Sequence, residues 1–339
     1  MNVKPKVLVT GATGFAGSHL ADLLIRRGYP VRVLTRTTSD LRWVPSEAER
    51  VIGDVREPES LKYALQDINW VFHFGGLISA RNREEFFVVN AAGTRNLFQA
   101  FLRHGDDPKL FLLCSSLAAV GPGAEGVMLK ESGTPRPVTA YGASKRAGEE
   151  ALLDVGDNKS DNKWEHQGGP VRKIIVRPPA VYGPRDPSIL KFFRWVERGW
   201  IPLPAPQNAR FSVIHVDDLA LGTVLLAEQG LSGTYHLSDG ESHSWLDLGE
   251  RVASQLHVRA RHLPIPFWIS ATAALGGELW GRLRHHPPLI SRDKVRELRG
   301  ISWVCSIEKA RSEAGYQPSR MISEGLKTTI AWYRDSGWL

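Results

Sequence analysis

A chain of 339 residues with 42% hydrophobic and 23% charged residues can bury one large α/β core or two linked ones, which excludes a disordered or fibrous protein. The net charge of +7 is spread along the chain without a block of five or more like charges, so nothing marks a nucleic-acid partner, while a phosphate-bearing ligand is compatible. The two cysteines, Cys114 and Cys305, are far apart and lack C-x-x-C spacing, which argues against a zinc site or a disulfide framework and fits reduced thiols.

The N-terminus, "MNVKPKVLVTGATGFAG", enters a strand-like run without the apolar stretch of a signal peptide, so a cytoplasmic protein is expected. Buried strands are predicted at Lys6 to Val9, Val31 to Leu34, Val51 to Ile52, Trp70 to Phe74, Leu110 to Cys114 and Lys173 to Val176. Amphipathic segments lie between them at 15–27, 57–66, 84–103 and 141–154. Strands apolar on both faces, alternating with helices, predict an α/β fold: a doubly wound parallel sheet with ligands at the C-terminal ends of its strands.

Residues 155–170 read as a polar surface loop with no role of their own. Beyond Pro178 proline becomes frequent and the alternation fails, which predicts a smaller C-terminal α/β domain for the substrate. The expected division is 1–180 for dinucleotide binding, with 213–228 returning to that unit, and 181–339 mainly for substrate. The stretch "LPIPFWISATAALGG" (263–277) is uncharged but too short and too interrupted to span a bilayer. A buried helix roofing an apolar pocket is expected there, with peripheral membrane contact as the alternative. His285 and His286 have no third ligand at metal spacing, so no metal is expected.

Three motifs carry the chemistry. "TGATGFAG" places Gly11, Gly14 and Gly17 between the first strand and a helix, where the backbone around Thr13, Phe15 and Ala16 can approach a pyrophosphate. "YGASK" sets Tyr141 and Lys145 four apart. On a helix the two share a face, so the ammonium is expected to lower the phenol's pKa and make it an acid or base near neutrality. "LLCSSLAAVG" supplies a hydroxyl at the end of a strand.

Together these residues resemble the extended branch of the short-chain dehydrogenase/reductase superfamily, in character its 3β-hydroxysteroid dehydrogenase-like and dihydroflavonol reductase-like members. The resemblance runs along nearly the whole chain. It implies a Rossmann fold and a catalytic set of Asn90 (from "VVNAAGTRNL"), Ser116, Tyr141 and Lys145. Tyr141 would exchange a proton with the substrate oxygen, Ser116 would hydrogen-bond that oxygen, Lys145 would hold the nicotinamide ribose, and Asn90 would hold a water. Cofactor contacts are implied at Asp54 and Val55 of "GDV", at Phe74, Gly75 and Gly76 of "VFHFGG", and at Pro178.

The residue after the second strand reads the adenosine ribose in this branch. Here it is Arg36, and an arginine can pair with a 2′-phosphate, which favours NADP over the alternative, NAD. Asp217 and Asp218 of "FSVIHVDDLA" are expected to cap a helix. Leu117 and Ala118 occupy the places where sugar dehydratases carry an Asp-Glu pair, and Phe211 stands where nucleotide-sugar enzymes carry a diphosphate-gripping arginine. The expected function is therefore hydride transfer to or from a bulky apolar ketone or secondary alcohol. A nucleotide-sugar 4-epimerase and a non-catalytic NAD(P)-binding sensor or assembly factor are the alternatives. A homodimer built on helices 84–103 and 141–154 is the expected assembly.

Overall fold

The computed structural model describes residues 4–155, 170–204, 206, 208–284, 292–298 and 301–339. The predicted loop at 155–170 and the His285–His286 pair therefore fall almost wholly outside the described residues. The first half runs β1 (Val7–Thr10), α1 (Phe15–Arg26), β2 (Val31–Thr35), β3 (Glu49–Ile52), α2 (Lys62–Leu65), β4 (Trp70–His73), α3 (Arg83–Phe87), α4 (Gly93–His104), β5 (Leu110–Cys114), α5 (Ala140–Asp154) and β6 (Arg172–Arg177). The second half holds β7 (Ala180–Tyr182), α6 (Pro187–Glu197), β8 (Trp200–Leu203), β9 (Arg210–Phe211), β10 (Val213–His215), α7 (Val216–Glu228), β11 (Gly233–His236) and α8 (Trp245–Leu256). It ends with β12 (Arg261–Pro264), α9 (Phe267–Arg284), α10 (Arg292–Leu298), β13 (Ser302–Trp303), α11 (Glu308–Ala314) and α12 (Ile322–Asp335).

Seven parallel strands form the main sheet in the order β11-β6-β5-β4-β1-β2-β3. The predicted strands match six of these to within two residues at their ends. The seventh, Gly233–His236, has too little apolar character to stand out in sequence, and it draws chain from beyond residue 181 back into the sheet. The central strands β1 and β5 carry almost no polar side chain and are buried on both faces, as a parallel sheet covered on both sides requires. Strand order reverses between β1 and β4, so a crevice opens where Thr10 and His73 end their strands.

The segment 84–103 is not one regular helix: a π-turn at Val88–Ala92 separates α3 from α4. The extra residue sits where Asn90 turns inward, and Asn90 is buried there. The segment 57–66 is likewise split, a 3₁₀ turn at Pro58–Leu61 leading into the single turn α2.

In the second half, α6, α8 and α12 enclose their own core around Phe193, Ile201, Val252, Leu326 and Tyr333. The pair Asp217–Asp218 does not cap α7, a correction to the sequence expectation. The cap is His215, whose Nδ1 accepts the Asp217 N–H at 3.2 Å. Asp218 instead accepts the backbone N–H groups of Ser319 and Arg320 and so ties the loop before α12 to α7. Asp217 pairs with His19 at 3.1 Å and with Arg320 at 3.2 Å.

Candidate active site

The crevice opens into a cavity of about 1880 Å³ that runs from the first turn of α1 to the aromatic residues of the second half. One end is lined by Gly11, Gly14, Phe15, Ala16, Gly17 and Phe74. Gly11 has φ +77, and a Cβ there would lie 2.6 Å from the Gly75 nitrogen and 2.7 Å from the Phe74 oxygen. Only glycine can take that conformation at that approach. Thr13 lies in the same turn, and Gly14 begins α1 without any side-chain cap, so the first-turn N–H groups face the cavity with a positive dipole. At Gly76 a Cβ would stand 3.0 Å from Asn90 Oδ1 and 3.5 Å from Lys145 Nζ. This cradle, uncapped helix end and cavity length fit a nicotinamide dinucleotide.

Arg36, Asp54 and Val55 follow β2 and β3 beside the cavity rather than in its lining. The Asp54 carboxylate takes Arg56 Nη2 at 2.6 Å, and that pairing first, with Arg36 as a further positive charge, holds its pKa below the usual range. Arg36 is exposed, and its backbone N–H donates to Ser39 Oγ at 3.0 Å.

The middle of the cavity is lined by Ser116, Tyr141, Lys145 and Pro178. Ser116 lies two residues beyond β5 in extended conformation, its Oγ accepting the Ala118 N–H at 3.1 Å, and its hydroxyl is hydrogen-bonded to the Tyr141 phenol. Ser115 points to the other side and donates to Glu149 Oε1 at 2.6 Å. Alternation along an extended chain thus separates two adjacent serines. Thr139 caps α5 through the Gly142 N–H at 3.0 Å and so fixes the turn on which Tyr141 rides.

Tyr141 and Lys145 share a face of α5, as spacing demands, but their electrostatics differ from the sequence expectation. Lys145 Nζ donates to the Cys114 carbonyl oxygen at 2.6 Å. Burial raises the Tyr141 pKa above its ordinary value, the Ser116 hydrogen bond opposes that shift, and the Glu297 charge adds to it. Among these influences burial is the largest, and the ammonium itself is held by a main-chain oxygen. Burial also lowers the Lys145 pKa, with the Glu149 charge among the opposing influences. The same surroundings push the Cys114 thiol up to about 11, so it is a poor nucleophile.

Asn90 is fully engaged by protein. Its Oδ1 accepts the Leu77 N–H at 2.8 Å, while Nδ2 donates to Leu77 O at 3.0 Å and to Ser144 Oγ at 2.9 Å. The amide clamps the chain that leaves Gly76.

Sequence reasoning missed several residues behind this row. Glu149 stands one turn after Lys145, is fully buried, and binds Arg177 through two bonds, Nε to Oε1 at 2.8 Å and Nη2 to Oε2 at 2.7 Å. Its signal was the second i, i+4 step in "YGASKRAGE". His73 is fully buried between Thr10 Oγ1 at 2.6 Å and Thr94 Oγ1 at 3.1 Å, and burial first, then the Lys145 charge, lowers its pKa to about 3. Thr10 Oγ1 accepts the Gly75 N–H at 3.0 Å and Thr94 donates to Asn90 O at 2.8 Å. Those partners require Nδ1 as acceptor and Nε2–H as donor. No sequence pattern announced this chain of bonds. Among the described residues Asp239, Glu241 and His243 also cluster, with His243 Nε2 at 2.6 Å from Asp239 Oδ2, away from the row of proposed catalytic groups.

The far end of the cavity is lined by Phe192, Phe211, Trp245, Leu248 and Trp303. Trp245 joins Phe192 and Phe211, with ring centroids 5.4 and 5.2 Å apart. Helix α10 supplies Asp293, Arg296, Glu297 and Leu298, and Asp293 Oδ2 accepts the Ala140 N–H at 2.6 Å just before Tyr141. Among the described residues, α10 contributes to the cavity lining and α9 does not.

Comparison with known proteins agrees with this geometry. The chain is 31% identical over 98% of its length to "Ceramide reductase" of Caulobacter vibrioides (strain NA1000 / CB15N), of which it covers 96%. It is 28% identical over 95% of its length to the "4-hydroxy-2-methyl-3-oxo-4-farnesyl-3,4-dihydroquinoline-1-oxide ketoreductase" of Stigmatella aurantiaca, of which it covers 94%. The crystal structure of Thermus thermophilus UDP-glucose 4-epimerase complexed with NAD superposes with a TM-score of 0.77 at 25% identity, over 97% of this chain and 99% of that one. The profile of the NAD dependent epimerase/dehydratase family matches residues 7–237, and this chain belongs to that family.

Proposed function

We propose that the protein is an NADP(H)-dependent oxidoreductase that interconverts a ketone and a secondary alcohol on a bulky, lipid-like molecule. One observation carries the reading. A single cavity of about 1880 Å³ joins the glycine loop to the Phe192–Trp245–Phe211 wall, whereas a drug-sized ligand fills roughly 300–1,000 Å³. Room for a second, apolar molecule therefore adjoins the dinucleotide cradle. The two relatives above carry names that speak of a ceramide and of a farnesyl-bearing quinoline, both lipophilic.

Bound nicotinamide supplies or accepts the hydride. Every other task falls to side chains. Tyr141, a neutral phenol kept so by burial, donates a proton to the oxygen of a reducing ketone, and Ser116 hydrogen-bonds the same oxygen. Lys145 moves from the Cys114 carbonyl to hold the ribose, and its charge then favours the departing proton. Asn90 fixes the Leu77 chain beside the cofactor. Arg36 pairs with the 2′-phosphate, Asp54 being already neutralised by Arg56. We also propose that residues 1–180, with the returning segment around α7, form the cofactor unit, that 181–339 mainly form the substrate unit, and that the protein is a cytoplasmic homodimer.

The epimerase reading draws on Arg210, which lines the cavity one residue from the position of Phe211. The test is nicotinamide absorbance with NADPH and NADH against long-chain keto lipids, steroid ketones and UDP-sugars, with Tyr141→Phe beside the wild type. Oxidation of NADPH by an apolar ketone, lost in Tyr141→Phe, is expected. Interconversion of UDP-sugars without net cofactor oxidation would replace this reading by the epimerase. Cofactor binding with no turnover of any kind would replace it by a sensor.

A further inference from the structure

Helix α9 presents an apolar face to solvent. Trp268 is 67% exposed, Ile269 40% and Leu275 46%, and Thr272 and Gly276 are exposed with them. These positions fall at helical spacings of three, four and seven, so they form one stripe. The opposite side is anchored by the fully buried Ala274. The one hydroxyl on the stripe needs no water, because Thr272 Oγ1 donates back to Trp268 O at 2.9 Å and to Ile269 O at 3.1 Å. A stripe of this composition, satisfied internally and facing out, is stable only against something apolar.

Charge selects the occupant. Exposed Arg259 and Arg261 lead into the helix, and exposed Arg296 lies on α10, which packs against α9. Trp200, itself 38% exposed, is the register partner of Arg261 in the neighbouring strand. A two-fold contact through this stripe would set the same arginines against each other, whereas an anionic bilayer meets both the arginines and the tryptophans. No described helix is long and apolar enough to cross a membrane.

We propose that the exposed face of α9 seats this protein on an anionic lipid surface, lying in the interface rather than spanning it. The seat is next to the cavity wall, because α10 both packs on α9 and lines the cavity.

The test is flotation of the full-length protein, without substrate, with vesicles of phosphatidylglycerol and phosphatidylcholine in equal parts and with vesicles of phosphatidylcholine alone. Wild type should float with the anionic vesicles, less with the neutral ones, and less at high salt. Trp268→Ser combined with Leu275→Ser should reduce partitioning about tenfold, with an unchanged thermal midpoint, since both side chains are exposed. Tyr63→Ser, which removes a 67% exposed ring on α2, should bind like the wild type. The proposal fails if wild type stays with the soluble fraction, or if the double variant floats equally well. It also fails if the double variant changes only the oligomeric mass in sedimentation, which would make the stripe a contact between copies. Because no substrate is used, each of these outcomes leaves the redox reading standing.

Discussion

The ammonium of Lys145 lies 2.6 Å from the carbonyl oxygen of Cys114 and leaves the phenol of Tyr141 to the hydroxyl of Ser116. In the cofactor-free protein, then, burial rather than a bond to the lysine is what first sets the acidity of the tyrosine. Lys145→Met should leave the alkaline absorbance titration of Tyr141 in place, read as the difference from Tyr141→Phe. It should weaken cofactor binding roughly 10- to 100-fold, the worth of a charged hydrogen bond. A tyrosinate band that appears at much lower pH in wild type than in Lys145→Met would show that the two side chains are already coupled.

The proposed pairing of Arg36 with a 2′-phosphate makes a prediction about coenzyme choice. Arg36→Asp should raise the KM for NADPH at least tenfold and leave that for NADH equal or lower, since a carboxylate repels a 2′-phosphate and can bind a free 2′-hydroxyl. Steady-state kinetics with both coenzymes decide it. An unchanged NADPH preference would place the phosphate elsewhere.

Behind the site, Glu149 and Arg177 form a buried ion pair that lies against Ser115. Removing one partner strands the other charge, so Glu149→Ala should cost about 3–5 kcal/mol in urea unfolding. The added replacement Arg177→Met should recover part of it. A single-mutant loss below about 1 kcal/mol would mean that water reaches the site.

Two buried groups give opposite pH dependence. His73 falls from 6.5 to about 3, so its contribution is complete above pH 6.5 and is lost as pH falls through that range toward 3. Between pH 7 and 5 that amounts to about 2 kcal/mol. His73→Asn should therefore show a shallower loss of stability over that interval. Asp186 rises from 3.8 to about 6 because burial outweighs the Ser188 and Ile189 N–H groups it accepts. Its contribution is complete below pH 3.8 and is lost as pH rises through 6. Asp186→Asn, which keeps a capping oxygen for α6, should gain about 2–3 kcal/mol at pH 7 and nothing near pH 4. Equal pH slopes in wild type and either variant would refute that assignment.

What could be read beforehand followed periodicity and backbone rules. Apolar runs placed the six strands because burial on both faces leaves a plain mark, and the glycines of the first loop were visible because positive φ and close backbone approach admit no other residue. Ser116 was preferred to Ser115 from its place five residues before Gly121 in the motif, and the structure lines the cavity with both while tying Ser115 to Glu149. The acidity of Tyr141 was misjudged, since spacing reports which face a lysine shares but not how deeply the phenol is buried. Long-range partners such as Arg177 for Glu149, or Thr10 and Thr94 for His73, join residues 21 to 63 positions apart and have no local signature. The exposed stripe on α9 was not legible either, because an uncharged turn of helix looks the same in sequence whether its far side meets protein or faces outward.

The wide turn at Val88–Ala92 stores a register slip of one residue within an otherwise regular rod. Deleting Ala91 or Ala92 would let the rod rewind to ordinary pitch. Everything before the deletion would then rotate about 100° relative to α4. Such a shortened protein could keep its fold and its glycine loop while turning Asn90 away from Leu77, which uncouples holding the coenzyme from aligning it. Length in this short stretch is thus as much a determinant of chemistry as the identity of any side chain in it.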